Sequence, residues 1–294
     1  MKPIVTVNTI SRSKTKPIAV QLSLLLANGL RYLVLLLAAL VILFPVLYAL
    51  AVSLESAAES VAYPPVFIPT QLHWESYQKA LETAPILRFI TNSFIVSAVV
   101  TVGQIITASL AAYAFSFLDF PGRSYIFYAF LSTMMIPWEV TIIPNYFTIK
   151  ELGWLDTYQG LSVPFLASAF GTFMLRQSFL TLPKQLFEAA RIDGCGHFRF
   201  FLTMVLPLSR PALGTLAVYA FLMTYNQYLW PLLVTNSDVM RTVQIGLSML
   251  QWDQAAAWNS MMAGVILVSI PTALLLVLGQ KQLVRGLTKG AIKG

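Results

Sequence analysis

The sequence predicts an all-α membrane protein of six transmembrane helices, and three observations carry that prediction. The first is composition: 57% of the 294 residues are hydrophobic and 11% charged, against roughly 25% charged in a soluble domain. The second is the placing of the uncharged stretches, which form windows long enough to cross a hydrocarbon core of about 30 Å, a distance that takes ~20 helical residues. The third is a bias of Lys and Arg toward alternate loops. The same composition excludes other classes. A single cysteine, Cys195, and two histidines, His73 and His197, leave no disulfide framework, zinc module or haem-attachment motif. A chain this apolar is neither disordered nor collagen-like.

The elements follow in order. Residues 1–31 are a basic arm, whose stretch from Lys2 to Lys16 reads as a mobile tail. Between Arg31 and Glu55 lie 23 uncharged residues, a first helix over 32–54. That run exceeds the apolar core of a cleavable secretory signal, about 7 to 15 residues, so the helix is retained. An outer loop, 55–87, carries an extended Tyr63-Pro64-Pro65 segment and then a short interfacial helix around Trp74 and Tyr77. His73 has no clustered partner and reads as a surface residue.

Residues 88–281 make up a core of five further helices, at about 89–118, 124–143, 157–176, 209–233 and 259–280, before a tail at 282–294. Uncharged windows of 30, 19, 27 and 27 residues define four of them, between Arg88 and Asp119, Asp156 and Arg176, Arg210 and Asp238, and Asp253 and Lys281. The window from Arg123 to Lys150 is interrupted by Glu139 and holds Pro137 and Pro144, which predicts a span with an irregular outer end. Helices rather than strands fit these windows. Lipid offers no hydrogen-bond partner to the backbone, and no window alternates with the period of a barrel strand. Pro45, Pro164 and Pro271 fall within spans, where each removes a hydrogen bond and kinks the helix.

Sorting the charges by loop sets the orientation. The arm, the second loop, the fourth loop and the tail hold 15 of the 19 Lys and Arg but 3 of the 12 Asp and Glu. Both termini are therefore expected in the cytoplasm. The net charge of +7 is then an orientation signal, and no basic patch interleaved with aromatics points to nucleic acid.

The fourth loop, 181–207, is the most structured segment outside the membrane. Thr181 is placed to cap a helix, Pro183 suits a first turn, and the run to Asp193 favours helix until Gly194 and Gly196 stop it. A second amphipathic stretch leads to Leu206-Pro207. Leu186, Phe187, Ala190 and Phe198 form an apolar edge flanked by Glu188, Arg191 and Asp193, which fits a docking element for a groove in another protein.

Polar residues within spans mark a second candidate site. The fifth span carries Tyr225-Asn226-Gln227-Tyr228, two amides between two phenols. They suit a polyhydroxylated ligand lining a pathway, and equally suit hydrogen bonds between helices. Asn145, Asn92 and Gln104 are weaker candidates of the same kind. Glu139 is a single acid at the interface, with no intramembrane partner to form a proton relay. No phosphate loop or hydrolytic motif is present, so the chain is not read as an enzyme, and its energy must come from elsewhere.

The string Glu188-Ala189-Ala190-Arg191-Ile192-Asp193-Gly194, followed after nine residues by Met204-Val205-Leu206-Pro207, resembles the EAA loop of permease subunits of bacterial ATP-binding-cassette importers, with Met204 where that family has Ile. The ending from Lys281 to Gly294, the stretch Asn226 to Leu233 and Thr181-Leu182-Pro183 are similar to the smaller six-span permeases of the maltose and glycerol-3-phosphate group. The resemblance implies a type I importer permease in the bacterial cytoplasmic (inner) membrane. It implies a second permease as heterodimer partner, a dimeric cytoplasmic ATPase that binds ATP and Mg, and an extracytoplasmic solute-binding protein. It also implies ATPase coupling through Glu188, Ala189, Ala190, Arg191, Asp193, Gly194, Leu206 and Pro207, with Glu188 facing a basic residue in an ATPase cleft and Gly194 allowing the turn. The tail would touch the ATPase, and the last outer loop, Thr235 to Trp258, would reach the binding protein. The implied cargo is a sugar or sugar-like solute: an oligosaccharide, a polyol or a glycerophosphate compound. The rival is a self-contained ion-coupled carrier, which calls for inverted repeats with matching broken helices; none is visible in the sequence.

Overall fold

The structure, a computed structural model, describes residues 18–253 and 258–288. The basic arm up to residue 17, residues 254–257 of the last outer loop and residues 289–294 of the tail lie outside the described residues. The chain divides into two units at Tyr48, inside its first helix α1 (Ile18–Ser53). The first unit is helical throughout its described part and continues through Pro45, with the rings of Phe44 and Tyr48 stacked 5.9 Å apart. From Arg31 onward it is apolar on every side, as a helix surrounded by lipid is.

The second unit, from Ala49, is built from helices α2 (Glu75–Thr83), α3 (Ile86–Phe117), α4 (Arg123–Ser132), α5 (Trp138–Glu151), α6 (Tyr158–Ser162), α7 (Ala169–Leu180), α8 (Lys184–Ile192), α9 (His197–Phe200), α10 (Leu206–Leu208), α11 (Arg210–Tyr225), α12 (Leu229–Val234), α13 (Val243–Asp253) and α14 (Trp258–Thr288). No strand occurs among the described residues. Local chemistry sets several starts. Gly122 takes φ 76° to turn the chain into α4. The Thr157 and Ser168 hydroxyls accept the amides of Gly160 and Gly171 at 3.1 and 3.0 Å, capping α6 and α7.

Among the described residues, three helices are long and apolar enough to cross a membrane: Ala27–Ser53, Ile86–Phe117 and Trp258–Gln280. The other predicted windows are interrupted. Over 124–143 the chain bends by 96° between Arg123–Met135 and Trp138–Glu151, at Pro137, whose missing N–H ends one ladder and starts the next. Glu139 stands in the first turn of α5, where a carboxylate favours the positive end of the helix dipole. Over 157–176 Pro164 lies in a 3-10 turn, Val163–Phe165, between α6 and α7. Over 209–233 the helix stops at Tyr225 and restarts at Leu229.

Unbroken α3 runs through the three apolar cores formed among the described residues of this unit. Ile86 and Phe89 join Phe221, Tyr225, Val243, Ala263 and Val268 in the first. Val96 and Val100 meet Ile149, Leu161, Trp230 and Val234 in the second. Ala108, Ala112 and Tyr113 meet Leu175, Ala190, Phe200, Val205 and Leu216 in the third. In the first core α13 presses its Gly246 against α3. A side-chain carbon on Gly246 would overlap the buried Phe89 ring, coming within 2.6 Å of its Cε2 atom. Gly246→Ala is therefore expected to cost about 1–3 kcal/mol by overpacking. A thermal-shift measurement on the purified complex checks it, and an unchanged midpoint would contradict the close approach.

Candidate functional site

The loop 181–207, the first candidate site, is folded by its own sequence. Helix α8 ends in a Schellman cap: the amide of Gly194 donates to Arg191 O at 3.0 Å and that of Cys195 to Ala190 O at 2.8 Å. Gly194 takes φ 72°, the left-handed conformation this cap requires. Past it, α9 runs through a π-turn, Phe201–Val205, into α10, where Pro207 has no N–H to continue an α ladder. Thr181, expected as the cap of α8, instead ends α7 and bonds back to Ser178 O at 2.7 Å. Pro183 stands at the start of α8 and offers no side-chain cap.

The amphipathic edge is divided differently from the sequence expectation. Phe187 and Ala190 turn into the third core, where Phe187 lies 5.9 Å from Phe117, 5.2 Å from Phe200 and 5.4 Å from His197. The outward apolar residues are Leu186, Phe198 and Ile192, the last 87% exposed. Ala189 is also exposed, Leu206 packs against the core and Pro207 faces out. Among the described residues, no ion pair engages Glu188, Arg191 or Asp193. Arg191 lies over the Phe187 ring at 5.9 Å. Carboxylates held on a capped helix without an ion pair among the described residues suit an external cation.

The second candidate site is the break between α11 and α12. Asn226 and Tyr228 are exposed and Gln227 half-buried. Tyr225 is placed apart from them: 2% exposed, it gives its hydroxyl proton to Val268 O at 3.1 Å and ties α11 to α14. Asn145 sits on α5, half-buried, directly after Pro144. Gln244 of α13, which the sequence did not single out, donates its amide to Asn226 Oδ1 at 3.3 Å. Non-helical backbone and exposed amides are tolerated at membrane depth only where they line a cavity or meet protein.

Asn92, a weaker candidate for the pathway, is a structural tie. At 0% exposure its amide donates to Val239 O at 2.8 Å and Arg241 O at 2.9 Å, and its oxygen accepts from the Tyr158 hydroxyl at 2.8 Å. The Ser93 hydroxyl accepts from Val243 N at 2.9 Å, and Arg88 Nε donates to Val239 O at 3.2 Å. From another side Asp156, itself at φ 55°, accepts the amides of Asn236 and Ser237 at 2.7 and 2.8 Å. The segment 236–243 is thus bound to α3 and to the turn before α6. Gln104 is likewise engaged, donating to Phe165 O at 2.9 Å. No group of three or more metal-binding side chains occurs among the described residues.

Residues 104–289 match the family model described as the binding-protein-dependent transport system inner membrane component. The chain is 39% identical over 272 residues to the sn-glycerol-3-phosphate transport system permease protein UgpE of Brucella abortus (strain 2308), covering 90% of this chain and 96% of that one. It is 39% identical over 273 residues to the same-named protein of Rhizobium meliloti (strain 1021), covering 90% and 97%. Among solved structures it resembles a bacterial ABC transporter involved in the import of the acidic polysaccharide alginate, with a TM-score of 0.77 and 21% identity over 92% of this chain and 99% of that one. A bacterial alginate ABC transporter in complex with an alginate pentasaccharide-bound periplasmic protein matches with a TM-score of 0.61 and 12% identity, over 86% and 93%.

Proposed function

The chain belongs to the family of binding-protein-dependent transport system inner membrane components, and on that footing we propose sn-glycerol 3-phosphate, a phosphorylated polyol, as the cargo of its importer. It is a permease subunit of an ABC importer, resident in the inner membrane, and not itself an enzyme. In the proposed complex it pairs with a second permease, takes its energy from a separate dimeric ATPase and receives solute from a binding protein on the outer side. Six spans with both termini in the cytoplasm are part of the same reading.

The observation that carries it is α8: a helix finished by its own cap, yet bearing Glu188, Arg191 and Asp193 without ion pairs among the described residues. In this reading α8 enters an ATPase cleft, Glu188 faces a cation there, and Gly194 sets the angle of entry. Asn226, Gln227 and Tyr228, with Gln244 added from α13, hydrogen-bond the cargo hydroxyls at the helix break. Tyr225 and Asn145 are less directly placed for that role. A phosphorylated cargo also calls for a cation, and the second permease or the binding protein is the proposed source.

The test is uptake of radiolabelled sn-glycerol 3-phosphate by cells whose other routes for it are deleted, carrying the complete importer. Uptake that depends on the ATPase subunit is expected, and Glu188→Lys should lower it roughly tenfold, the equivalent of ~1.4 kcal/mol lost at the docking contact. Equal uptake without the ATPase would overturn the importer reading, and uptake of other solutes alone would overturn the cargo.

A further inference from the structure

We infer that α3 is the rod that carries movement between the docking loop and the outer segment 236–243, gripping each through a buried polar side chain. The inference rests on the docking role proposed for α8. Around α3, the chain is bent by 96° between α4 and α5, by 78° between α10 and α11, and interrupted between α11 and α12. Helix α3 runs unbroken from Ile86 to Phe117. Its 21 steps from Asn92 to Tyr113 span about 32 Å at 1.5 Å per residue, the thickness of a hydrocarbon core.

At the docking end the joint is Tyr113, 6% exposed. Its hydroxyl donates to His197 O at 3.1 Å and lies 2.9 Å from His197 Nδ1. A phenol has one proton, so with that proton on the carbonyl the second contact is the imidazole N–H donating to the phenol oxygen. Tyr113 thereby holds both the backbone and the ring of His197 to α3. The same imidazole lies 5.4 Å from Phe187 of α8, so displacement of the docking helix reaches Tyr113 directly. Tyr113 also meets Phe117 and Phe201 at 5.1 and 5.2 Å, contacts that do not need the hydroxyl.

At the other end the joint is Asn92, with both amide donors and its oxygen engaged, and beside it Ser93. A polar group buried in this way loses its partners if the segment moves without α3, so segment and helix move together. Between the joints α3 meets its neighbours through small residues. Ala108 would lie 3.3 Å from a side-chain carbon placed on Gly171 of α7, so the two backbones approach closely along apolar faces. Tyr113 and Asn92 are thus positioning residues: each acts through the chain segments it holds to the rod.

The test uses the complete importer in liposomes, with the binding protein loaded with sn-glycerol 3-phosphate added outside and ATP hydrolysis measured inside. Stimulation must then cross the bilayer. Tyr113→Phe keeps the ring contacts and deletes the joint. It and Asn92→Ala are each expected to reduce stimulation by roughly fivefold, within the range for residues that couple two sites. Basal hydrolysis and the amount of assembled complex should stay unchanged. The double variant should be no worse than the weaker single one, because both interrupt one rod. If Asn92→Ala fails to assemble, Ser93→Ala takes its place with the same expectation. Full stimulation in the single variants, or a double loss equal to the product of the two, overturns the inference. A failure of the docking role itself is distinguishable, since Glu188→Lys would then leave the ATPase bound.

Discussion

Replacement of Gly194 by valine is expected to abolish uptake while the permease still inserts and pairs. The position lies at φ 72°, and a side-chain carbon placed there meets nothing within 4 Å, so the penalty is conformational and not steric crowding. A β-branched residue forced into the left-handed region costs about 1–2 kcal/mol. The end of α8 relieves that cost by giving up the bonds from Gly194 to Arg191 and from Cys195 to Ala190. The loss in global stability is small, but the turn that aims α8 is gone, and with it the presentation of Glu188. Asparagine, which tolerates this conformation, should restore part of the activity, and alanine less. Uptake measured beside co-purification of the ATPase checks the series. A valine variant that transports and retains the ATPase normally would remove the cap from the mechanism.

The second large effect is expected in assembly. Trp230 of α12 is 0% exposed, donates its indole N–H to Gly160 O at 2.9 Å, and meets Trp138 and Phe165 edge-on at 5.8 and 6.1 Å. It fastens the far side of the helix break to α5, α6 and the turn at Pro164. Trp230→Ala removes a buried aromatic, worth about 3–5 kcal/mol, and leaves the Gly160 carbonyl unmet, about 1–3 kcal/mol more. Together these rival the whole stability of a typical domain, roughly 5–15 kcal/mol. The variant should not accumulate in the membrane, whereas Trp230→Phe, which keeps a ring, should accumulate at a reduced level. Membrane abundance by immunoblot decides it, and wild-type abundance of the alanine variant would contradict the fastening role.

Charge gaps fell on α3 and α14 because both are continuous apolar helices, α14 running on through Pro271. The same gaps missed the breaks in the other windows, since an uncharged stretch measures apolar length and not the continuity of backbone hydrogen bonds. Pro137 and Pro164 signalled two of those breaks. The third had a quieter signal in Pro231, which sits in the first turn of α12, where its missing N–H is harmless.

The fold of the loop 181–207 was the most legible, because its helix formers, its stop at Gly194 and the cap itself are local in sequence. Its buried face was not, since Phe187 and Ala190 turn inward only because α3 ends in Tyr113 and Phe117. The amides were ambiguous for a related reason. Asn92 and Asn226 look alike in sequence, and only contacts from residues far along the chain make the first a tie and leave the second exposed.

Both cap bonds of α8 close within residues 190–195, and its attachment to the body runs chiefly through Phe187, Ala190 and Cys195. Shape and attachment are therefore written into about a dozen consecutive residues, while Glu188, Arg191 and Asp193 occupy the remaining positions. That makes the segment a cassette. Under the proposed docking role, its outward residues can diverge with a partner while the helix bundle that carries them keeps its packing.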